Sequence, residues 1–143
     1  MFELARRFIK TGLVFLMVGL VLGLYLIASK HLLGSWPDRG LITAHVHVLL
    51  VGFLLSLIMG VAIWMFPRLR EDGSYSPALA EATYWLLTLG TAFRFAAEVA
   101  IAYLHTMKAL DWVVVLGAAS QTLAAILFVY NIWSRVRPMG KQT

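Results

Sequence analysis

Leu41 to Phe53 reads LITAHVHVLLVGF, two histidines separated by one valine inside an apolar run that continues without a charged residue to Phe66. A bilayer core of about 30 Å is crossed by roughly 20 apolar residues of α-helix, so this run is long enough to span it. Three more stretches qualify: Thr11 to Ser29, Trp112 to Ser134, and Ala78 to Leu104, which is apolar except for Glu81, Arg94 and Glu98. The sequence therefore predicts an all-α, polytopic membrane protein, one four-helix transmembrane bundle with helices at about 11–29, 41–66, 78–104 and 112–134. Composition agrees, since 61% of the 143 residues are apolar and 13% charged, against about 25% charged in an average soluble domain.

The net charge of +5 follows topology better than it fits nucleic acid. Arg6, Arg7, Lys10, Arg68, Arg70, Arg135, Arg137 and Lys141 flank one side, whereas Lys30, Arg39 and Lys108 fall on the other. By the positive-inside rule both termini are cytoplasmic. The first apolar run exceeds the h-region of a signal peptide and has no Ala-x-Ala site after it, so it is expected to remain in the protein. The segments around Gly34, Pro37 and Gly40, and from Pro67 to Pro77, read as turns; Pro67 closes the second helix and Pro77 opens the third. Gly12, Gly19 and Gly23 share one face of the first helix, and Gly19 and Gly23 form a G-x-x-x-G that suits close packing within the subunit or a dimer contact. The chain has no cysteine, which excludes disulfides, thiolate metal sites and thioether-linked haem.

On a helix each residue advances about 100°, so His45 and His47 project about 160° apart and cannot share one metal ion. Each imidazole serves a different neighbour. One reading is two neutral histidines hydrogen-bonded to flanking helices. The other is haem b with imidazole axial ligands, because a macrocycle supplies four equatorial nitrogens and asks the protein for only one or two histidines. Along the His45 face lie Gly52, Ser56 and Gly60, which admit either something flat or a close helix; along the His47 face lie Val51, Leu54, Ile58 and Met65, a bulky wall.

The run AHVHVLLVGFLLSLIMGVAIWMFPRL, Ala44 to Leu69, resembles the tenth transmembrane helix of subunit I of haem-copper oxidases, especially the cbb3-type oxidases and bacterial nitric oxide reductases. There a His-x-His precedes a Gly-Phe and an aromatic-Pro-basic exit from the membrane, matched here by Gly52, Phe53, Pro67 and Arg68. YWLLTLG, Tyr84 to Gly90, resembles the following helix more loosely. The resemblance implies that His45 and His47 ligate iron on opposite sides of the helix. The chain has no His-His pair and no helix-borne Tyr and His set, so the copper site and independent oxygen reduction are not expected. In the family, subunit I is built from three four-helix sets about a pseudo-threefold axis. By analogy, a homotrimer would bring His45 of one copy to His47 of the next, with a haem at each interface; a dimer could pair the same faces.

Arg94 and Glu98 sit one turn apart on the third helix, where a charged pair must face the bundle or a cofactor. Either they neutralise each other and lock the third helix to Ser120 and Gln121 of the fourth, or Arg94 meets a haem edge or propionate while Glu98 accepts protons or supports a ligand. Arg39 and Lys108 are outward candidates for propionates; His31 and His105 read as interfacial. The expected protein is thus a haem b electron carrier of a bacterial or archaeal cytoplasmic membrane, with a respiratory redox partner. The alternative is a non-enzymatic accessory or assembly partner of a respiratory oxidase or nitric oxide reductase.

Overall fold

Glu3 in the first turn and Lys30 and His31 in the last complement the dipole of a first helix, α1, that runs Phe2–His31 without a break,. The computed structural model describes residues 2–66, 75–104 and 108–136. It is all-helical: among the described residues four helices, Glu3–His31, Arg39–Met65, Pro77–Leu104 and Lys108–Ile132, are long and apolar enough to cross a membrane, and no strand occurs. α1 begins well before the expected Thr11 because its charged first turns stay helical, with Arg7 paired to Glu3 at 3.0 Å and to Glu81 at 3.3 Å. Pro67, Arg68, Arg70, His105, Arg137 and Lys141 lie outside the described residues.

The second span is not one uniform helix. It consists of α2 (Arg39–His47), a π-helical segment (Val48–Leu55) and α3 (Ser56–Met65). Asp38 caps α2 by accepting the Gly40 amide at 2.7 Å,. At the junction the Val48 amide is shared between Ala44 O and His45 O, and the backbone widens in the π-helical turns that follow the histidine pair,. α3 ends at Phe66 in extended geometry (φ −77°, ψ 127°), the conformation favoured before a proline.

α4 (Pro77–Leu104) opens on Pro77 as expected, where a missing amide is harmless. Ser76 Oγ accepts the Leu79 amide at 3.3 Å. Asn131, near the end of α5 (Lys108–Ile132), clamps Ser76 through both its amide atoms, at 2.9 and 3.0 Å. Arg135, counted in the sequence among the flanking charges, is only 3% exposed. It donates to the carbonyls of Ile63 and Phe66 at the end of α3 and lies over the Tyr75 ring.

Consecutive spans run antiparallel. α1 lies along the whole second span, α2 packs on α4, and α4 makes its most extensive contact with α5. Gly90 and Gly117 let the last two helices touch: a Cβ on Gly117 would stand 2.9 Å from Gly90 O. Phe8, Met59, Ile63, Tyr84, Leu87 and Ala124 form the main core. Only 17–33% of each span's apolar window is buried within the chain. The remaining apolar surface is what a helix presents to hydrocarbon.

Candidate functional site

The small face of the second span is covered by α1. A Cβ added to Gly52 would fall 2.8 Å from the Phe15 ring, one on Gly12 would meet Ser56 Cβ at 3.4 Å, and Gly60 abuts Ala5, Phe8 and Ile9. Of the two occupants left open by the sequence, a flat ligand or a close helix, the structure has the helix, and Gly52 receives Phe15. The glycines of α1 thus serve packing within the chain.

His45 is seated on the same helix. Its Nδ1 lies 3.0 Å from Gly19 O, and a Cβ on Gly23 would approach its Cε1 to 2.7 Å. Gly19 and Gly23, one turn apart, therefore supply an acceptor and the room for the ring. A carbonyl oxygen only accepts, so Nδ1 carries the proton and Nε2 keeps its lone pair. The arrangement is shared by a neutral histidine hydrogen-bonded to a flanking helix and by a metal-ligating histidine whose second nitrogen is tied to a carbonyl.

His47 points to the other side, toward α4, as the angular separation requires. Its Nδ1 lies 2.9 Å from Thr43 O, one turn back, and its Nε2 lies 2.9 Å from Arg94 Nη2. A carbonyl only accepts, so Nδ1 carries its proton toward Thr43 O,; Arg94 Nη2 also lies 3.2 Å from Nδ1, so the guanidinium rests against the imidazole ring and not along the Nε2 lone pair. Gly40 permits this approach, since a side chain there would stand 3.2 Å from Glu98 O of α4. Val46, between the two histidines, is 41% exposed, and both imidazoles are partly exposed on either flank of it. His45 and His47 thus flank an outward-facing edge.

Arg94 is the hub of the polar interior. Its Nε donates to Glu98 Oε1 at 2.9 Å and its Nη1 to Gln121 Oε1 at 3.0 Å. Gln121 Nε2 donates onward to Thr91 Oγ1 at 3.0 Å. The expected lock between the third and fourth helices is present through Gln121. Ser120 ties the same two helices separately from the Arg94–Glu98 pair, its hydroxyl donating to Leu86 O of α4 at 2.8 Å. Glu98 Oε2 is buried and has no hydrogen-bond partner among the described residues. The link from Arg94 to His47 joins two features that looked separate in the sequence, because residues on different helices carry no register with one another.

Arg39 is exposed at the start of α2, Lys108 at the start of α5 and His31 at the end of α1. An apolar groove of about 700 Å³ between α4 and α5, walled by Trp85, Leu89, Phe93 and Leu116, has none of the candidate ligands in its lining. Among the described residues no cluster of three or more His, Asp or Glu side chains could hold a bare metal ion. A macrocyclic iron makes a smaller demand, one or two imidazole nitrogens. Two Nδ1-anchored histidines with Nε2 lone pairs fit it, His45 beside α1 and His47 with the Arg94 guanidinium against its ring.

A family model described as Cytochrome C and Quinol oxidase polypeptide I matches residues 3–142. Neither the curated proteins nor the solved structures compared with the chain contain a match.

Proposed function

The chain belongs to the cytochrome c and quinol oxidase polypeptide I family, and from that premise we propose that it is a membrane-embedded haem b protein in which His45 and His47 are iron ligands and the task is electron transfer. The family generally binds haem. The single observation carrying the reading is the pair of hydrogen bonds from His45 Nδ1 to Gly19 O and from His47 Nδ1 to Thr43 O, which leave each Nε2 as the ligating atom,.

When bound, haem supplies a one-electron Fe(III)/Fe(II) couple. The chain's own residues do the rest. Gly23 leaves room for the His45 ring, the two carbonyls hold the tautomers, and the apolar spans keep water from the site. Imidazoles on both faces leave no open position, which suits electron transfer rather than activation of a bound molecule. Arg39, exposed at the head of α2, is available to a propionate.

The histidines lie on opposite flanks of one helix, so a haem shared by both kinds of ligand takes His45 from one copy and His47 from another. A homotrimer with one haem per interface is the assembly proposed, with both termini on the cytoplasmic side of a bacterial or archaeal membrane and the four helices as one domain. A respiratory redox partner completes the reading. The contact of Arg94 with the His47 ring favours a second reading, a non-enzymatic accessory or assembly partner of a respiratory complex. Reduced-minus-oxidised spectra of the purified protein separate the two: sharp low-spin bands support the first reading, and absence of a Soret band supports the second.

A further inference from the structure

The chain passes from α1 to α2 through a turn that displays apolar side chains. Gly34 takes a positive φ of 62°, a conformation most side chains avoid, and the Ser35 amide returns to Ser29 O at 3.1 Å. The turn is thus a hydrogen-bonded element with a defined outer surface. On that surface Leu32 is 81% exposed, Leu33 75% and Trp36 78%. Large apolar side chains gathered so closely on an exposed turn mark a surface that something covers.

The length of α1, the charge beside Trp36 and the run of exposed apolar residues all name the covering as lipid. Lys10 is the last charge in α1 before its apolar run, and about 20 helical residues from Thr11, enough to cross the hydrocarbon, end near Lys30. Leu32 to Trp36 therefore stand at the polar edge of the bilayer and not out in water. Lys30 Nζ lies over the Trp36 ring, 4.5 Å from its centroid. An indole with an ammonium on it has an apolar body for the acyl chains and a charge for the phosphates, the pairing expected at a membrane boundary. The turn also continues an apolar surface, since Leu24 and Ile27, 69% and 63% exposed, precede it on α1.

We propose that Leu32, Leu33 and Trp36 form a lipid anchor, inserted into the phospholipid leaflet on the face opposite the N-terminus, with Lys30 at the level of the phosphates. The anchor fixes a depth. Arg39 starts α2 directly after the turn, held there by the Asp38 cap on the Gly40 amide, so His45 and His47 lie about 9 and 12 Å of helix rise below it. The anchor is independent of the haem reading, which can fail without touching it.

The chain has no cysteine, so Leu33→Cys and, as a water-facing reference, Glu3→Cys each take a single nitroxide label. In vesicles of phosphatidylcholine with phosphatidylglycerol, at high lipid-to-protein ratio, power-saturation electron paramagnetic resonance reads their surroundings. The label at residue 33 is expected to be relaxed by oxygen and shielded from a water-soluble nickel chelate, with the reverse at residue 3. A residue 33 label open to the chelate overturns the anchor. A label shielded from both reagents, or one that opens to the chelate as the protein is diluted in lipid, assigns the turn to a contact with another protein copy and overturns it as well. The unsubstituted protein gives a second measurement: a phospholipid carrying a diazirine at the glycerol end of its acyl chain, photolysed in the same vesicles, is expected to leave adducts on residues 32–36. Leu33→Glu with Trp36→Glu should lose those adducts. Adducts elsewhere on the spans with none on the turn of the unsubstituted protein overturn the proposal.

Discussion

Gly23→Ala is the sharpest perturbation of the His45 seat. A methyl at residue 23 would stand 2.7 Å from His45 Cε1, 3.3 Å from Nδ1 and 3.4 Å from Nε2. The obstacle is a rigid ring, so the ring must swing away from Gly19 O, to which its Nδ1 is bonded at 3.0 Å. Relief of glycine's backbone entropy in mid-helix favours alanine by about 0.5–1 kcal/mol. Overpacking costs about 1–3 kcal/mol, and the lost hydrogen bond about 0.5–1.5 kcal/mol. The costs exceed the gain, so stability in detergent is expected to fall by roughly 0.5–4 kcal/mol. A larger effect is expected on hemin affinity, because removing the support of a metal-ligating histidine typically costs about 10–100-fold. Gly12→Ala is the control: it crowds Phe53 O at 3.2 Å, away from both histidines, and should lower stability while leaving hemin affinity unchanged. Wild-type affinity in Gly23→Ala, measured by the Soret titration, would refute the assignment of His45 as a ligand seated on α1.

His45→Ala and His47→Ala should each abolish the low-spin spectrum; an unchanged spectrum in either removes that residue from the ligand set. Glu98→Ala leaves the largely buried Arg94 (14% side-chain exposure) without its counter-ion, and should destabilise the protein by about 3–5 kcal/mol, read as a lower melting temperature; a loss below about 1 kcal/mol would mean the pair is solvated. Asn131→Ala forfeits both hydrogen bonds to Ser76 and should cost about 1–3 kcal/mol, with faster amide exchange at the start of α4. Gly117→Val would drive a side chain into Arg94 Cβ, 2.8 Å from a Cβ at that position, and should separate α4 from α5, seen as loss of a cross-link engineered between them.

The fold was legible because hydrocarbon imposes one simple rule, a long uncharged run for each crossing, and each of the four runs read in the sequence overlaps one of the four spans observed, the second and fourth running past Met65 and Ile132 at their ends. The ends were harder. α1 extends back through Arg6 and Arg7, since charged residues stop a membrane crossing but not a helix. The π-helical turn at Val48–Leu55 has no signature in VLLVGFLL, whose only small residue, Gly52, reads equally well as packing. The opposite bearings of His45 and His47 followed from helical geometry alone, and both histidines lie in α2, before the backbone widens. What each meets did not follow: Gly19 and Gly23 looked like a packing motif, which they are, but nothing in their spacing named a histidine as the occupant. Likewise the spacing of Arg94 and Glu98 announced a pair, and Gln121 was within its expected reach, whereas the bond to His47 depends on the relative depth of α2 and α4, set by Asp38 and Gly40 at the head of α2.

The most direct test of the central claim is the haem content and coordination of the purified protein after expression with porphyrin supplied. The account predicts one haem b per chain, with the electron paramagnetic resonance signature of low-spin ferric iron between two imidazoles and no shift on exposure to carbon monoxide. A colourless protein, or a high-spin iron that binds carbon monoxide, would contradict it.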